Sequence, residues 1–164
     1  MAVAEAREPD AEEEAPFEVA PSPLDEPTHR EMLSLYEESA HTIRFAKSQQ
    51  WKTLGSTLLT FLALIAICYL FSREVVLAQG VAFSTFLVSA CAIYALAIYQ
   101  TWQNVEREKL RRIAAQLSNL ARDIRAVKSS LEANFHRYIL LTFMVFAIIG
   151  GNVVVVMALS PLYR

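Results

Sequence analysis

The chain has 164 residues, of which 54% are hydrophobic, and a formal net charge of -2 at pH 7. The charge is unevenly placed: residues 1–27 carry nine acidic residues and one arginine, whereas residues 28–164 carry fourteen basic and eight acidic residues. The hydrophobic content and a mean hydropathy of +0.30 are high for a soluble globular domain of this size.

The acidic segment, residues 1–27, contains five of the six prolines and few large apolar residues. Such a segment buries too little surface to offset the entropy lost on ordering, so we expect it to be disordered. The start of the chain has neither a basic region nor an early apolar run, so no signal peptide is expected. The first apolar stretch should therefore serve as an uncleaved anchor.

Three apolar stretches, residues 53–71, 75–100 and 138–160, contain no charged side chain. Roughly 20 residues of helix cross a hydrocarbon core about 30 Å thick, so each stretch is long enough to be a membrane span. The sequence therefore predicts an all-α integral membrane protein with three transmembrane helices. An amphipathic entry helix, residues 28–52, should precede the first span.

The entry helix is predicted to begin at Thr28, because Pro27 should block an earlier start and Thr28 and Glu31 fit a capping box. The first two spans are separated only by residues 72–74, which predicts a tight antiparallel hairpin.

Basic residues cluster on one side of the predicted spans. Arg44, Lys47 and Lys52 precede the first span, and eight further Lys and Arg residues lie in residues 101–137. By the positive-inside rule, the amino terminus and the second loop are cytoplasmic and the carboxyl terminus is external. Membrane orientation alone requires such a basic loop, so no nucleic-acid partner is expected. The basic residues also favour contact with anionic membrane lipid.

The second loop, residues 101–137, has large apolar residues at alternating steps of three and four. This pattern is an a/d seam typical of coiled-coil-like helix packing, and we expect it to be a helix–helix interface. Its members are Leu110, Ile113, Leu117, Leu120, Ile124, Val127 and Leu131. Two arrangements fit: the chain folds back near Ser118 and Asn119 and the seam zips on itself, or residues 105–128 lie flat in the membrane interface. A further capping box, Ser129 to Glu132, is expected to start the third helix.

Small and polar residues within the spans are candidates for close helix packing. In the second span they are Gly80, Ser84 and Ser89, and in the third they are Gly150, Gly151 and Asn152. Asn152 is expected to form an interhelical hydrogen bond where the two glycines let backbones approach. The alternative is a hinge with a pore-facing amide.

Catalysis is not expected. The chain has no GxSxG, Walker or HExxH motif, and no Asp or Glu within the apolar stretches. His29, His41 and His136 are too far apart in sequence for a local metal site, so no metal or cofactor is predicted. Cys68 and Cys91 both lie within predicted spans and are expected to fill apolar space.

Residues 36–51, YEESAHTIRFAKSQQW, run directly into the predicted two-span hairpin. In this the chain resembles small bacterial membrane proteins and, more distantly, is similar to the SLATT group of two-transmembrane effector domains associated with nucleotide-sensing defence systems. The resemblance covers about residues 31–100, and it implies a bacterial inner-membrane location and action by oligomerisation and membrane perturbation. The third span and the acidic tail depart from the two-span pattern.

Two alternative functions are therefore expected, in order of preference. The first is a non-enzymatic membrane subunit or scaffold that assembles through its cytoplasmic and transmembrane helices, with itself or with another protein. The alternative is an oligomeric pore-forming or membrane-perturbing effector.

Overall fold

The computed structural model describes residues 20–71, 75–126 and 130–163 of the chain. Every regular element in these ranges is helical, which confirms the predicted all-α class. The elements in chain order are α1 (Glu26–Phe71), α2 (Val75–Gln116), α3 (Asn119–Ala126), α4 (Ser130–Leu159) and a short 3-10 helix (Ser160–Tyr163). The acidic tail through residue 19, the link at residues 72–74 and the capping serine Ser129 lie outside the described residues.

Three of these helices, α1, α2 and α4, are long and apolar enough to cross a membrane within the described ranges. This confirms a multi-pass membrane protein with three candidate spans. The predicted entry helix and first span form one uninterrupted helix, since α1 has 46 residues and a length of about 69 Å. Helix α2 has 42 residues and likewise continues beyond its apolar stretch.

Helix α1 begins at Glu26, two residues before the predicted start at Thr28. The first helical hydrogen bond runs from the backbone amide of His29 to the carbonyl of Asp25, over 2.8 Å. Pro27 therefore lies within the first turn, where its missing amide hydrogen has no intrahelical acceptor to lose. The expectation that Pro27 excludes an earlier start was wrong for this reason.

Helices α1 and α2 pack as an antiparallel pair, and α4 packs against both of them. The buried apolar core runs along these contacts: Leu54, Phe61, Cys68, Val81, Ala92, Leu96, Met144, Ile148, Val155 and Leu159. Many large apolar side chains point outward instead, with Val76 79% and Phe83 74% exposed. An outward apolar surface is what hydrocarbon solvates, because burial in the bundle offers such side chains little advantage over lipid.

Beyond the apolar stretches, residues 26–52 of α1 and 101–116 of α2 form a paired helical extension, which we call the stalk. The α2 half extends about 24 Å past Gln100. Helix α2 ends at Gln116, Leu117 and Ser118 are not helical, and α3 starts at Asn119. The helix break therefore falls at the predicted turn near Ser118 and Asn119, but the seam does not zip on itself, because Leu120 and Ile124 remain exposed. The flat in-plane helix over residues 105–128 was wrong, because residues 105–116 continue α2.

The segment before α1 is hydrogen-bonded to the end of the stalk. The Ser22 hydroxyl donates to the Gln116 carbonyl over 2.9 Å, and the Ala20 amide donates to Oδ1 of Asn119 over 2.9 Å. The first bond satisfies a carbonyl that the end of α2 leaves without a helical partner. Ala20 and Ser22 therefore lie directly beside the turn between α2 and α3.

Candidate functional site: helix interfaces and a basic cavity

A cluster of carboxamide side chains joins α1 to α2 where the stalk meets the apolar stretches. Gln103 Nε2 donates to Gln50 Oε1 over 2.9 Å, and Gln50 Nε2 lies 3.4 Å from Gln100 Oε1 and 3.3 Å from the Leu96 carbonyl. Gln100 donates in turn to Asn104 over 3.2 Å. These bonds hold the two helices in a fixed register just below the spans.

The carboxamide cluster is almost fully removed from solvent. Gln103 is 0% exposed and Gln50 is 3% exposed. The cluster reaches α4 as well, since Asn104 Nδ2 lies 3.4 Å from the Tyr138 hydroxyl. A buried amide without a hydrogen-bond partner destabilises the fold, so substitution of one glutamine also leaves its partner in an unfavourable state.

A second polar contact joins α2 to α4 inside the bundle. Asn152 Nδ2 donates to Ser89 Oγ over 3.1 Å, and Ser89 Oγ donates to the Thr85 carbonyl over 2.7 Å. Asn152 and Ser89 are both buried, so the Asn152 amide lies within the three-helix interface. This is the geometry of the interhelical hydrogen bond that the sequence predicted.

Gly151 allows α4 to approach α1 closely. A Cβ atom at this position would lie 2.9 Å from Leu58 Cδ2 and 3.0 Å from Phe61 Cδ2. The neighbouring Gly150 has no heavy atom within 4 Å of the corresponding point. Of the two glycines, Gly151 is therefore the one that the packing requires.

The remaining small residues of the spans lie on the outer surface. Gly80 and Gly150 are exposed and have open space around them, and Ser84 is exposed on the same helix as Gly80. The Ser84 hydroxyl donates to the Gly80 carbonyl over 2.9 Å, and Thr60 bonds the Ser56 carbonyl in the same way. Because these hydroxyls are satisfied by their own helices, they can face hydrocarbon.

The members of the predicted seam separate into two groups. Leu110 and Ile113 are buried in the stalk, whereas Leu120 and Ile124 on α3 are 42% and 65% exposed. Leu117 is half-buried at the turn. Val127 and the Leu131 side chain lie outside the described residues. The exposure of the α3 members follows from the end of α2 at Gln116, after which the seam no longer lies on one helix face.

A groove of about 410 Å³ lies between the two helices of the stalk, and Met32, Leu35 and Ile113 are among its lining residues. Lys109 Nζ donates to Glu106 Oε1 over 2.7 Å at its edge. Burial raises the pKa of Glu106, but hydrogen bonds from Lys109 and Ser39 and the charge of Lys109 outweigh it. The net result is a pKa below the ordinary value. Through the hydrogen bond from Ser39 of α1, the ionised carboxylate of Glu106 contributes to the contact between α1 and α2.

A basic cavity of about 450 Å³ lies where the three helices meet below the apolar stretches. Lys47 of α1, Arg107 of α2, and His136 and Arg137 of α4 contribute its polar lining. Ile139, Leu140 and Phe143 form its apolar wall. Burial and then the charges of Arg107 and Arg137 lower the pKa of Lys47.

No group of three or more His, Cys, Asp or Glu side chains that could hold a metal ion occurs within the described part of the chain. Cys68 is buried in the core and Cys91 is exposed on the outer surface of α2, and both are free thiols. His41 and His136 are exposed, and His29 is half-buried near the start of α1.

The sequence did not identify the interface role of Gln50, Gln100 and Gln103. They fall at the edges of the apolar stretches, where a carboxamide fits an exposed position as well as a buried one. Their spacing carried a signal, since Gln100 and Gln103 continue the steps of three and four set by Ser89, Ala92 and Leu96, all of them buried.

No protein-family model, curated protein or solved structure matches this chain.

Proposed function

We propose that this chain is a non-enzymatic integral membrane subunit that assembles with copies of itself through the surface of α3 and the stalk. One observation carries the proposal: Leu120 and Ile124 are 42% and 65% exposed on a helix that lies between the second and third predicted spans rather than within a span. Both side chains lie on α3, one turn apart, so they form a continuous apolar surface. A second copy that covers this surface removes it from water.

The stalk supports the same proposal. Its helices leave Leu33 and Leu35 of α1 42% exposed each, in addition to the α3 side chains. Apolar area that is grouped on an extramembrane surface marks interaction sites more often than single exposed residues do. The buried carboxamide cluster joins α1 to α2 at the base of the stalk, so both helices contribute to that surface together.

The alternative of a pore-forming effector has the resemblance to membrane-perturbing domains as its support. Asn152, the residue considered for a pore lining, donates to Ser89 within the bundle and is only 5% exposed. It adds no support to a pore between copies. Assembly without conduction is therefore the function we propose.

Cysteine crosslinking in native membranes tests the proposal. Ile124→Cys is placed in a Cys91→Ala background, and the buried Cys68 is retained. The matched control is Arg111→Cys, also outside the predicted spans and with a side chain 66% exposed on the charged side of α2. We expect Ile124→Cys to form disulfide-linked dimers several-fold more efficiently than the control.

Equal crosslinking at both positions, together with a monomeric mass by light scattering in mild detergent, would contradict self-assembly. Adducts whose mass differs from a multiple of 18.4 kDa would also count against it, because they indicate another protein on the α3 surface.

A further inference from the structure

Cations from three different helices converge on the basic cavity. Lys47 comes from α1, Arg107 from α2 and Arg137 from α4, and none of the seven lining residues is acidic. The ion pairs found among the described side chains use Arg30, Lys109, Arg111 and Arg112, and not Lys47 or Arg107. The positive charge of Lys47 and Arg107 is therefore not neutralised by a carboxylate of the described chain.

The cations lie within side-chain reach of the headgroup region that borders the predicted spans. Lys47 is six residues before the first apolar stretch, Arg107 is seven residues after the second, and Arg137 immediately precedes the third. Six or seven residues of helix correspond to about 9–11 Å along the axis. Long basic side chains extend back toward the interface from such positions.

The apolar wall of the cavity points to a ligand that also has a hydrocarbon part. Ile139 and Phe143 are 51% and 64% exposed, and Leu140 is half-buried between them. These residues occupy the first two turns of the third apolar stretch. They lead from the cations directly along the outer surface of the span.

We propose that the basic cavity binds the phosphate of an anionic phospholipid, with one acyl chain along Ile139 and Phe143. Lys47 and Arg107 are the principal phosphate contacts, one from each helix of the stalk. Basic cavities between membrane helices at this level are suited to anionic headgroups, because the phosphate meets several donors and the tails stay in hydrocarbon. The site does not depend on the assembly of the chain into oligomers.

The electrostatics of the cavity agree with an anionic ligand. Burial and the charges of Arg107 and Arg137 lower the pKa of Lys47, and burial and Arg137 lower that of Arg107. Burial and nearby like charges that lower the pKa of a cation destabilise the folded state at neutral pH. A bound phosphate adds an attractive interaction with both Lys47 and Arg107 that offsets this cost.

A soluble phosphoester has the same headgroup chemistry, so the experiment must separate it from a lipid. The full chain is purified in a neutral detergent and analysed by native mass spectrometry after addition of phosphatidylglycerol, phosphatidylcholine or inorganic phosphate. The test variant is Lys47→Gln/Arg107→Gln. Its control, Arg111→Gln/Arg112→Gln, removes two charges from the stalk outside the cavity.

We expect wild-type protein and the control to retain one phosphatidylglycerol per chain at least ten times more strongly than phosphatidylcholine. The test variant should lose this preference. Equal retention by the test variant and the control would overturn the site. Retention of inorganic phosphate as strong as that of phosphatidylglycerol would overturn the lipid assignment and indicate a soluble phosphoester.

A measurement on the wild-type chain keeps the proposal testable if the variant fails to fold. Acylation of Lys47 by an amine reagent is compared with that of the exposed Lys52 in vesicles with and without phosphatidylglycerol. Lys52 lies five residues, or about 7.5 Å of helix, closer to the first apolar stretch, so it reports the surface potential of the vesicle on the same helix. We expect the Lys47-to-Lys52 ratio to fall several-fold in phosphatidylglycerol, and an unchanged ratio would contradict the proposal.

Discussion

Gln103 and Gln50 face each other across the α1–α2 interface, with Gln103 Nε2 2.9 Å from Gln50 Oε1. Gln50 in turn donates toward Gln100 and the Leu96 carbonyl, so one side chain links three groups of α2. This arrangement places Gln50 at the centre of the carboxamide cluster. The position of α1 along α2 is therefore specified by hydrogen-bond geometry and not by apolar contact alone.

We expect Gln50→Leu to destabilise the fold by about 1–3 kcal/mol, because it leaves the fully buried Gln103 amide without its acceptor. The measurement is SDS-induced unfolding in mixed micelles. The double variant Gln50→Leu/Gln103→Leu is the control. It should recover most of the loss, since replacement of both partners by apolar groups removes the unsatisfied amide. Additive losses in the double variant would mean that the two glutamines act independently.

Gly151 and Gly150 form a matched pair for a packing test. Gly151→Leu should destabilise the bundle by about 1–3 kcal/mol, because its side chain would displace the ring of Phe61 and the methyl group of Leu58. Gly150→Leu points into open space and should be neutral or stabilising by up to about 1 kcal/mol through helix propensity. Thermal unfolding in detergent compares the two. A similar loss in both variants would show that the α4–α1 contact differs from the one described.

The Asn152–Ser89 hydrogen bond should contribute modestly to stability. Double-mutant cycles of such bonds between membrane helices average about 0.6 kcal/mol, and we expect a coupling of that size between Asn152→Ala and Ser89→Ala. SDS-induced unfolding of the two single variants and the double variant gives the coupling energy. A coupling near zero would indicate that the bond is absent in the membrane.

The three candidate spans were predictable because a helix in a soluble fold rarely runs for about 20 residues without a charged side chain. The buried face of α2 was not predictable in the same way. It runs through Ala78, Val81, Thr85, Ser89, Ala92 and Leu96, then through Gln100 and Gln103 to Leu110 and Ile113. Within a membrane the packed face of a helix often consists of small or polar residues, and the large apolar residues face lipid. A search for large apolar residues therefore identifies the lipid-facing side and not the packed side.

In the seam from Leu110 onward, the large apolar residues suggest a longer continuous helix than the structure has. Its spacing stays regular across residues 117 and 118, where the helix ends, because no glycine or proline marks the break. Periodicity alone therefore did not choose between one continuous helix and a break near Ser118 and Asn119, and both remained as alternatives. The basic cavity could not be predicted from the sequence either. Arg107 is 60 residues from Lys47 and 30 from Arg137, and the three meet only in the tertiary structure.

Glu106 should make the stability of the stalk depend on acid pH. Its pKa lies below the ordinary value of 4.5, so its stabilising contribution is fully present above about that pH and is lost as the pH falls through the lower, folded-state pKa. The measurement is the thermal midpoint between pH 6 and pH 3 for the wild type and Glu106→Gln. We expect a shallower acid decline in the variant.

The control for this titration is Glu108→Gln, which removes a carboxylate that pairs with Arg111 and Arg112 on the outer side of α2. Exposed pairs of this kind contribute little to stability, so the control should follow the wild-type curve. Glu106 differs because its side chain is only 15% exposed and it accepts a hydrogen bond from Ser39 of α1. If Glu106→Gln and Glu108→Gln gave the same curve, the stalk interface would not depend on the charge of Glu106, and apolar contacts such as those of Leu110 and Ile113 would have to hold α2 against α1.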